Sequence, residues 1–244
     1  MKPHLNKKPE FETVLKKYRI SDEGKQLLSK IKLVLLVSPT SAGRNTLIKE
    51  LSKTGKYEYI VSDTTRPQRE NNGVMEQDGI EYWFRSEDDI LSDLKKGLFL
   101  EAELIHDQQV SGISLRELKK AAEHDKIAIN EVEHEGIYNI VEAKPDTFAI
   151  MILPPSPEEW MDRLNNRSDM TTEEIQNRLK TAEKILEAAQ ERIFYKIVIN
   201  DDLTRAANEI RDIVEQGEYS DYQHQAGLDL AWKLLSWVKQ QLYS

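Results

Sequence analysis

Cysteine is absent from the 244 residues. The chain therefore has no disulfide framework, no thiolate metal site and no cysteine nucleophile, a composition expected of a reducing cytosol. An excess of positive charge is missing too: 34 Lys and Arg against 43 Asp and Glu leave a net charge of −9. That balance argues against a broadly basic nucleic-acid-binding surface and leaves room for a local anion site. No apolar run approaches transmembrane length, and the Lys-rich start lacks the hydrophobic segment of a signal peptide. The expectation is a soluble, cytoplasmic protein with neither a nucleic acid nor a membrane as partner. Internal repeats and low-complexity tracts are also lacking. The length suits one sizeable α/β domain with additions.

What is present is organised around one stretch. The run Lys32-Leu33-Val34-Leu35-Leu36-Val37 reads as a buried parallel strand, and Ile48 and Leu51 begin a helical pattern soon after it. Between them, Ser38-Pro39-Thr40-Ser41-Ala42-Gly43-Arg44-Asn45-Thr46 has the spacing of a phosphate-binding loop. In such a loop, backbone N–H groups and a helix N-terminus surround an anion and a cation completes the cage. Against the pattern G-x-x-x-x-G-K-[ST] only Gly43 is intact. Ser38 stands at the first glycine, Arg44 at the lysine and Asn45 at the hydroxyl residue, while Ser41 occupies a position where many such loops carry glycine. A plain strand-turn-helix fits this stretch as well.

Along the chain, residues 1–30 are polar, with Phe11, Val14, Leu15 and Tyr18 at helical spacing, and read as an N-terminal helical extension packed on the core. Tyr57 to Val61 alternates as a short strand, and Gly79 to Phe84 reads as another. Ser62 to Arg69 is a polar segment whose Arg66 and Arg69 read either as solvated charges or as a phosphate clamp, since the planar guanidinium pairs two oxygens at once. Ser114 with Glu117, and Thr171 with Glu174, fit capping boxes. Ile127 to Glu133 reads as a buried strand ending in acids, where ligands of α/β proteins bind; His134 beside it reads as structural. Thr147 to Leu153 is a further strand, and residues 158–190 are helical with a break at Ser168-Asp169-Met170. A last strand runs from Ile193 to Ile199, and Asp201-Asp202-Leu203 reads as a helix start. Leu228, Ala231, Trp232, Leu235, Val238 and Leu242 form an apolar stripe on a C-terminal amphipathic helix, residues 218–244, placed to dock on its own domain or on a second copy as a homodimer.

Several of these segments together resemble guanylate kinases. The resemblance is carried by Val61-Ser62 with Thr64-Thr65-Arg66 and Arg69, by Asp78-Gly79 with Tyr82 and Phe84, and by Phe99-Leu100-Glu101. It continues through Ile152-Leu153-Pro154-Pro155-Ser156, the series Arg163, Arg167, Arg178, and Val198-Ile199-Asn200-Asp201-Asp202-Leu203. These fall in the family's order across roughly residues 32 to 215. The resemblance implies a P-loop nucleoside monophosphate kinase fold, an α/β parallel sheet flanked by helices, across residues 31–217. It also implies a small β-rich acceptor-binding insertion at about 57–112 and a helical lid at about 158–190.

By the same resemblance, Ser41, Ala42, Gly43, Arg44, Asn45, Thr46 and Asn200 hold ATP, with Asn200 near its adenine. Ser62, Arg66, Arg69, Tyr82, Glu101, Glu131 and Glu133 hold GMP, and Glu76 falls at an acidic loop position after a loop longer than the family's. Glu101 falls where a carboxylate reads guanine; guanine offers N1–H and N2–H side by side, and a carboxylate accepts both. Arg44, Arg163, Arg167 and Arg178 are the implied catalytic cations, and Asn45 and Thr46 the implied contacts to Mg²⁺ bound with ATP. Val110-Ser111-Gly112-Ile113-Ser114 departs from the family's Tyr-Gly-Thr-Ser-like run, which removes its phosphate-binding tyrosine and its base-facing hydroxyl.

Two functions follow. One is transfer of the terminal phosphoryl group of ATP to GMP or dGMP; the other is a catalytically impaired relative that holds a nucleotide or a phosphorylated partner. The loop residues Ser41, Arg44 and Asn45 favour the second, and three lid arginines, useful only where charge develops, favour the first. A third, an interaction protein using only its terminal helices, requires that no nucleotide bind.

Overall fold

Leu33–Val37 is buried at every position, which an alternating, half-solvated strand never is and a central strand of a covered parallel sheet always is. In the computed structural model this strand is β1, and residues 5–71, 73–105, 107–132, 136–166, 171–192 and 194–243 are described. The helices are α1 (Lys8–Lys16), α2 (Asp22–Leu28), α3 (Arg44–Ser52), α4 (Glu87–Lys95), α5 (Leu115–Glu123), α6 (Gly136–Ala143), α7 (Pro157–Asn165), α8 (Thr172–Glu191), α9 (Leu203–Arg211) and α10 (Asp221–Tyr243). The remaining strands are β2 (Tyr57–Tyr59), β3 (Asp63–Thr64), β4 (Glu70–Asn71), β5 (Val74–Met75), β6 (Trp83–Phe84), β7 (Phe99–Ile105), β8 (Gln109–Ser114), β9 (Ile127–Glu131), β10 (Phe148–Leu153) and β11 (Lys196–Ile199). A π-helical turn, Asp212–Gln216, follows α9. No helix among the described residues is long and apolar enough to cross a membrane.

Contacts divide the chain into two units. The unit of Leu33–Tyr57, Ile129–Ile137 and Thr147–Ser244 is built on a five-stranded sheet of order β11-β10-β1-β9-β2. Its centre is parallel, with Leu36 beside Ile150 and Met151 beside Ile197. Helix α10 packs on α8 and on β11. Gly227 permits that approach, because a Cβ there would lie 2.6 Å from Ile197 Cβ. The buried face of α10 is Gly227, Ala231, Leu234, Leu235 and Val238. The expected stripe thus holds for Ala231, Leu235 and Val238 but not for Trp232, which is 56% exposed. The buried position belongs to Leu234, because α8 and β11 meet the helix along a slightly rotated face.

The unit of Met1–Lys32, Glu58–Ala128 and Tyr138–Asp146 holds a four-stranded sheet of order β6-β3-β8-β7 and the ribbon β4-β5. The N-terminal extension is built into it as two helices: Phe11 is fully buried among Ile90, Leu91, Leu94, Phe99 and Val110. The Tyr18 hydroxyl accepts from the Phe99 N–H at 2.8 Å and donates to the Phe99 carbonyl at 2.5 Å. Asp63, fully buried, is held by Arg85 at 2.8 Å and Arg116 at 2.7 Å.

Two sequence expectations fail in this unit. The strand expected from Gly79 to Phe84 is only Trp83–Phe84, because Gly79 takes φ +77° and turns the chain before it. The capping box expected at Ser114 and Glu117 does not form: Glu117, 2% exposed, accepts from the Val61 N–H at 3.2 Å instead. A buried backbone donor needs a partner more than a helix end that other groups can serve. The second box does form, with Thr171 and Glu174 exchanging both hydrogen bonds at the start of α8.

Candidate active site

The turn from β1 into α3 has the shape its spacing predicts. Gly43 is the N-cap of α3 at φ +97°, with no side chain capping the helix, so first-turn N–H groups are left without a side-chain partner and favour an anion. Gly43 is required twice over: its φ suits glycine, and a Cβ would lie 2.1 Å from Asn200 Nδ2. Ser41 is also left-handed, at φ +66°, a conformation that costs an L-residue roughly 1–2 kcal/mol. Its Oγ is buried with no hydrogen-bond partner. A phosphate oxygen in the loop would satisfy that hydroxyl.

Around this turn lies a cavity of about 550 Å³ lined by the loop from Ser38 to Thr46 and by Glu131, Arg163 and Arg178. Here sequence-distant residues meet. Arg44 Nε donates to Glu131 Oε2 at 2.9 Å, so the guanidinium standing in place of the usual loop lysine is oriented by the acid at the end of β9, and among the described residues its other N–H groups are left over. Arg163 donates to the Asn200 carbonyl at 2.9 Å and to Glu159 at 2.6 Å. Arg178 reaches the cavity from α8 with no ion-pair partner among the described residues. Thr181 and Ile185 line the cavity as well; sequence reasoning missed them, although their spacing from Arg178 puts all three on one helical face. Arg167 and Glu133, with His134 and the expected break at Ser168-Asp169-Met170, lie outside the described residues.

Asn200, which the resemblance sets near the adenine of ATP, lies against the loop. It is 6% exposed, and its Nδ2 donates to the Ala42 carbonyl at 2.7 Å, so its amide braces the loop. Trp160, fully buried, donates from Nε1 to the Thr40 carbonyl at 2.7 Å. It was read from sequence only as part of a helical segment.

The residues expected to hold an acceptor lie in the other unit. Arg66 is 6% exposed and pairs with both oxygens of Glu76, NH2 to Oε1 at 2.8 Å and NH1 to Oε2 at 2.5 Å. The rings of Tyr82 and Phe84 lie 4.7 and 5.4 Å from the same guanidinium. Glu76 also accepts from the Arg69 backbone N–H at 2.9 Å, so one carboxylate ties the turn between the two arginines. Arg69, exposed, donates to Gln109 Oε1 at 3.3 Å. Ser62 is half-buried beside β3, and its carbonyl accepts from the Trp83 N–H. On β7, desolvation pushes the Glu101 carboxyl up to about 8; the neighbouring Glu103 charge adds, and a backbone hydrogen bond from Ile113 opposes. The strand beside it is close enough that a Cβ on Gly112 would lie 2.3 Å from the Glu101 carbonyl.

Among the described residues no cluster of three His, Asp or Glu is arranged to hold a metal. Asn45 and Thr46 line the cavity, and each carries a side-chain oxygen of the kind a nucleotide-bound Mg²⁺ takes beside the phosphates.

Comparison with known proteins gives one consistent result. The family model described as guanylate kinase matches residues 30–217. The guanylate kinase of Sulfurimonas denitrificans is 32% identical over 185 residues, 75% of this chain and 86% of that one. That of Polaromonas sp. is 34% identical over 183 residues, 75% and 85% of the two chains. The crystal structure of guanylate kinase from Anaplasma phagocytophilum superposes with a TM-score of 0.55 at 22% identity, covering 83% of this chain and 93% of that one, which shows the P-loop nucleoside monophosphate kinase fold. With its strand-turn-helix at Gly43, its cationic cavity and a family match over residues 30–217, this chain belongs to the guanylate kinase family.

Proposed function

We propose that this protein transfers the terminal phosphoryl group of ATP to GMP or dGMP, giving ADP and the nucleoside diphosphate. The observation that carries this is the cavity at the N-terminus of α3, where an uncapped helix end, Arg44, Arg163 and Arg178 face one space. Phosphoryl transfer asks little of a protein beyond in-line positioning and fixed positive charge around the transferring group. The α3 N–H groups, Arg44 and the Ser41 hydroxyl hold the donor phosphates in this proposal, while Arg163, Arg178 and Arg167 stabilise charge developing on the γ-phosphoryl oxygens. Arg44 stays oriented by Glu131 and uses its terminal N–H groups on phosphate. Asn45 and Thr46 would hold Mg²⁺ bound with ATP, which would supply neutralisation of phosphate charge.

On the acceptor side, Ser62, Arg66, Arg69 and Tyr82 take the GMP phosphate and Glu101 takes the guanine N1–H and N2–H. The Arg66–Glu76 pair orients the guanidinium before ligand arrives, leaving Arg69 as the more mobile cation. The proposed homodimer uses the outer face of α10, where Trp232 and Tyr243 are exposed; elution volume on size exclusion checks it. Purified protein given ATP, Mg²⁺ and each common monophosphate in a coupled assay is expected to release ADP with GMP and dGMP and little with AMP, CMP or UMP. No ADP from any of them, with GMP still bound in calorimetry, overturns the catalytic assignment.

A further inference from the structure

A loop that binds phosphate through inward-facing N–H groups turns carbonyls outward, and those need partners from the rest of the protein. Here the carbonyls on both sides of Ser41 are held by side chains distant in sequence: Thr40 by Trp160 Nε1 and Ala42 by Asn200 Nδ2, each at 2.7 Å. Ser41 itself, at φ +66°, is the strained residue between them, and strain of this kind persists only where surroundings over-determine it. Asn200 is anchored in turn, since its N–H donates to Leu153 at 2.8 Å and its carbonyl accepts from Arg163. Trp160 is anchored by a ring from α10: Trp237 lies with its centroid 6.0 Å away, tilted by 58°. Helix α10 begins at Asp221, beyond the last residue of the family match at 217.

We propose that the C-terminal helix α10 is a working part of the nucleotide site: Trp237, through Trp160 and the Thr40 carbonyl, holds the Ser41 segment in its phosphate-binding shape. Trp160 and Trp237 are positioning residues, and Ser41 is the residue whose strain they offset. This inference rests on the assignment of the cavity to ATP phosphates. It accounts for a loop that works with serine where glycine would be strain-free, and it gives the terminal helix a role beyond covering α8 and β11.

The test separates support of the loop from general stability. Trp160→Phe keeps an aromatic ring and deletes the N–H; Trp237→Ala removes the backing ring. Each is expected to raise KM for ATP about fivefold, the effect of one lost hydrogen bond, with KM for GMP within twofold of wild type. Ser41→Gly removes the strain together with the Ser41 hydroxyl, so the reference is the Ser41→Gly protein: in that background each tryptophan change is expected to raise KM for ATP by less than twofold. A purely structural role lowers Tm and leaves the ATP and GMP constants moving together, and the tryptophan changes then cost as much in the Ser41→Gly background as in the wild type; that result overturns the inference. So does a Trp160→Phe protein with unchanged KM for ATP. Should the wild type show no turnover, the catalytic assignment fails by itself, and calorimetric Kd for ADP across the same variants reads the loop support with the same expected pattern.

Discussion

As the proposed guanine contact, Glu101 is the side chain that would couple base recognition to pH. Burial holds its carboxyl near 8, above its ordinary value, so the fold favours the protonated form. Its contribution to stability is then complete below about pH 4.5 and is lost as pH rises to about 8. Guanine held there as proposed reverses the preference, because its N1–H and exocyclic N2–H side by side need the ionised carboxylate. Binding of GMP near pH 7 is therefore expected to release close to one proton, read as a dependence of calorimetric enthalpy on buffer ionisation, and affinity is expected to rise roughly tenfold between pH 7 and 9. Glu101→Gln should abolish the proton release and erode the preference for guanine. A GMP enthalpy indifferent to buffer would remove Glu101 from the base site. Arg66 and Glu76 carry a related lesson: a pair this buried is weak evidence of stability in itself, but removing one partner strands the other charge.

Among the elements, α10 and β11 are joined by the absence of a side chain. Gly227 costs α10 roughly 1 kcal/mol against alanine in helix propensity, yet a Cβ there would sit 2.6 Å from Ile197 Cβ. Overpacking of that kind costs about 1–3 kcal/mol, so the clash outweighs the propensity gain. Gly227→Ala is expected to destabilise the protein by about 1 kcal/mol, measured by urea unfolding; a stabilised variant would mean that α10 can shift away from β11. Helix α5 makes the complementary point. Its Ser114 and Glu117 spell a capping box, yet the Ser114 hydroxyl is buried without a partner and Glu117 serves the Val61 N–H. Local pattern yields where a tertiary donor claims the same side chain.

For the whole molecule, the two units hold separate candidate sites, the Arg44 cavity in one and Arg69 with Glu101 in the other. Arg44→Ala is expected to raise KM for ATP tenfold or more with little change in KM for GMP, and Arg69→Ala the reverse, as charge-assisted phosphate contacts are worth about 1.5–3 kcal/mol. A substitution that moves both constants together would argue against this division. The sequence by itself determined the parallel strands, whose unbroken apolar runs suit only a sheet covered on both faces, and the strand-turn-helix at Gly43, whose spacing is a local property. It also carried the ordered motifs by which the family was legible. Only the tertiary structure decided that Ser41 adopts the left-handed conformation, that Asn200 and Trp160 brace its neighbours, that Arg44 leans on Glu131, and that Trp232 faces solvent while Leu234 is buried. Periodicity and spacing report which face of an element is apolar and which turn it makes. They do not report which distant donor reaches a given carbonyl, because that depends on how separate elements pack.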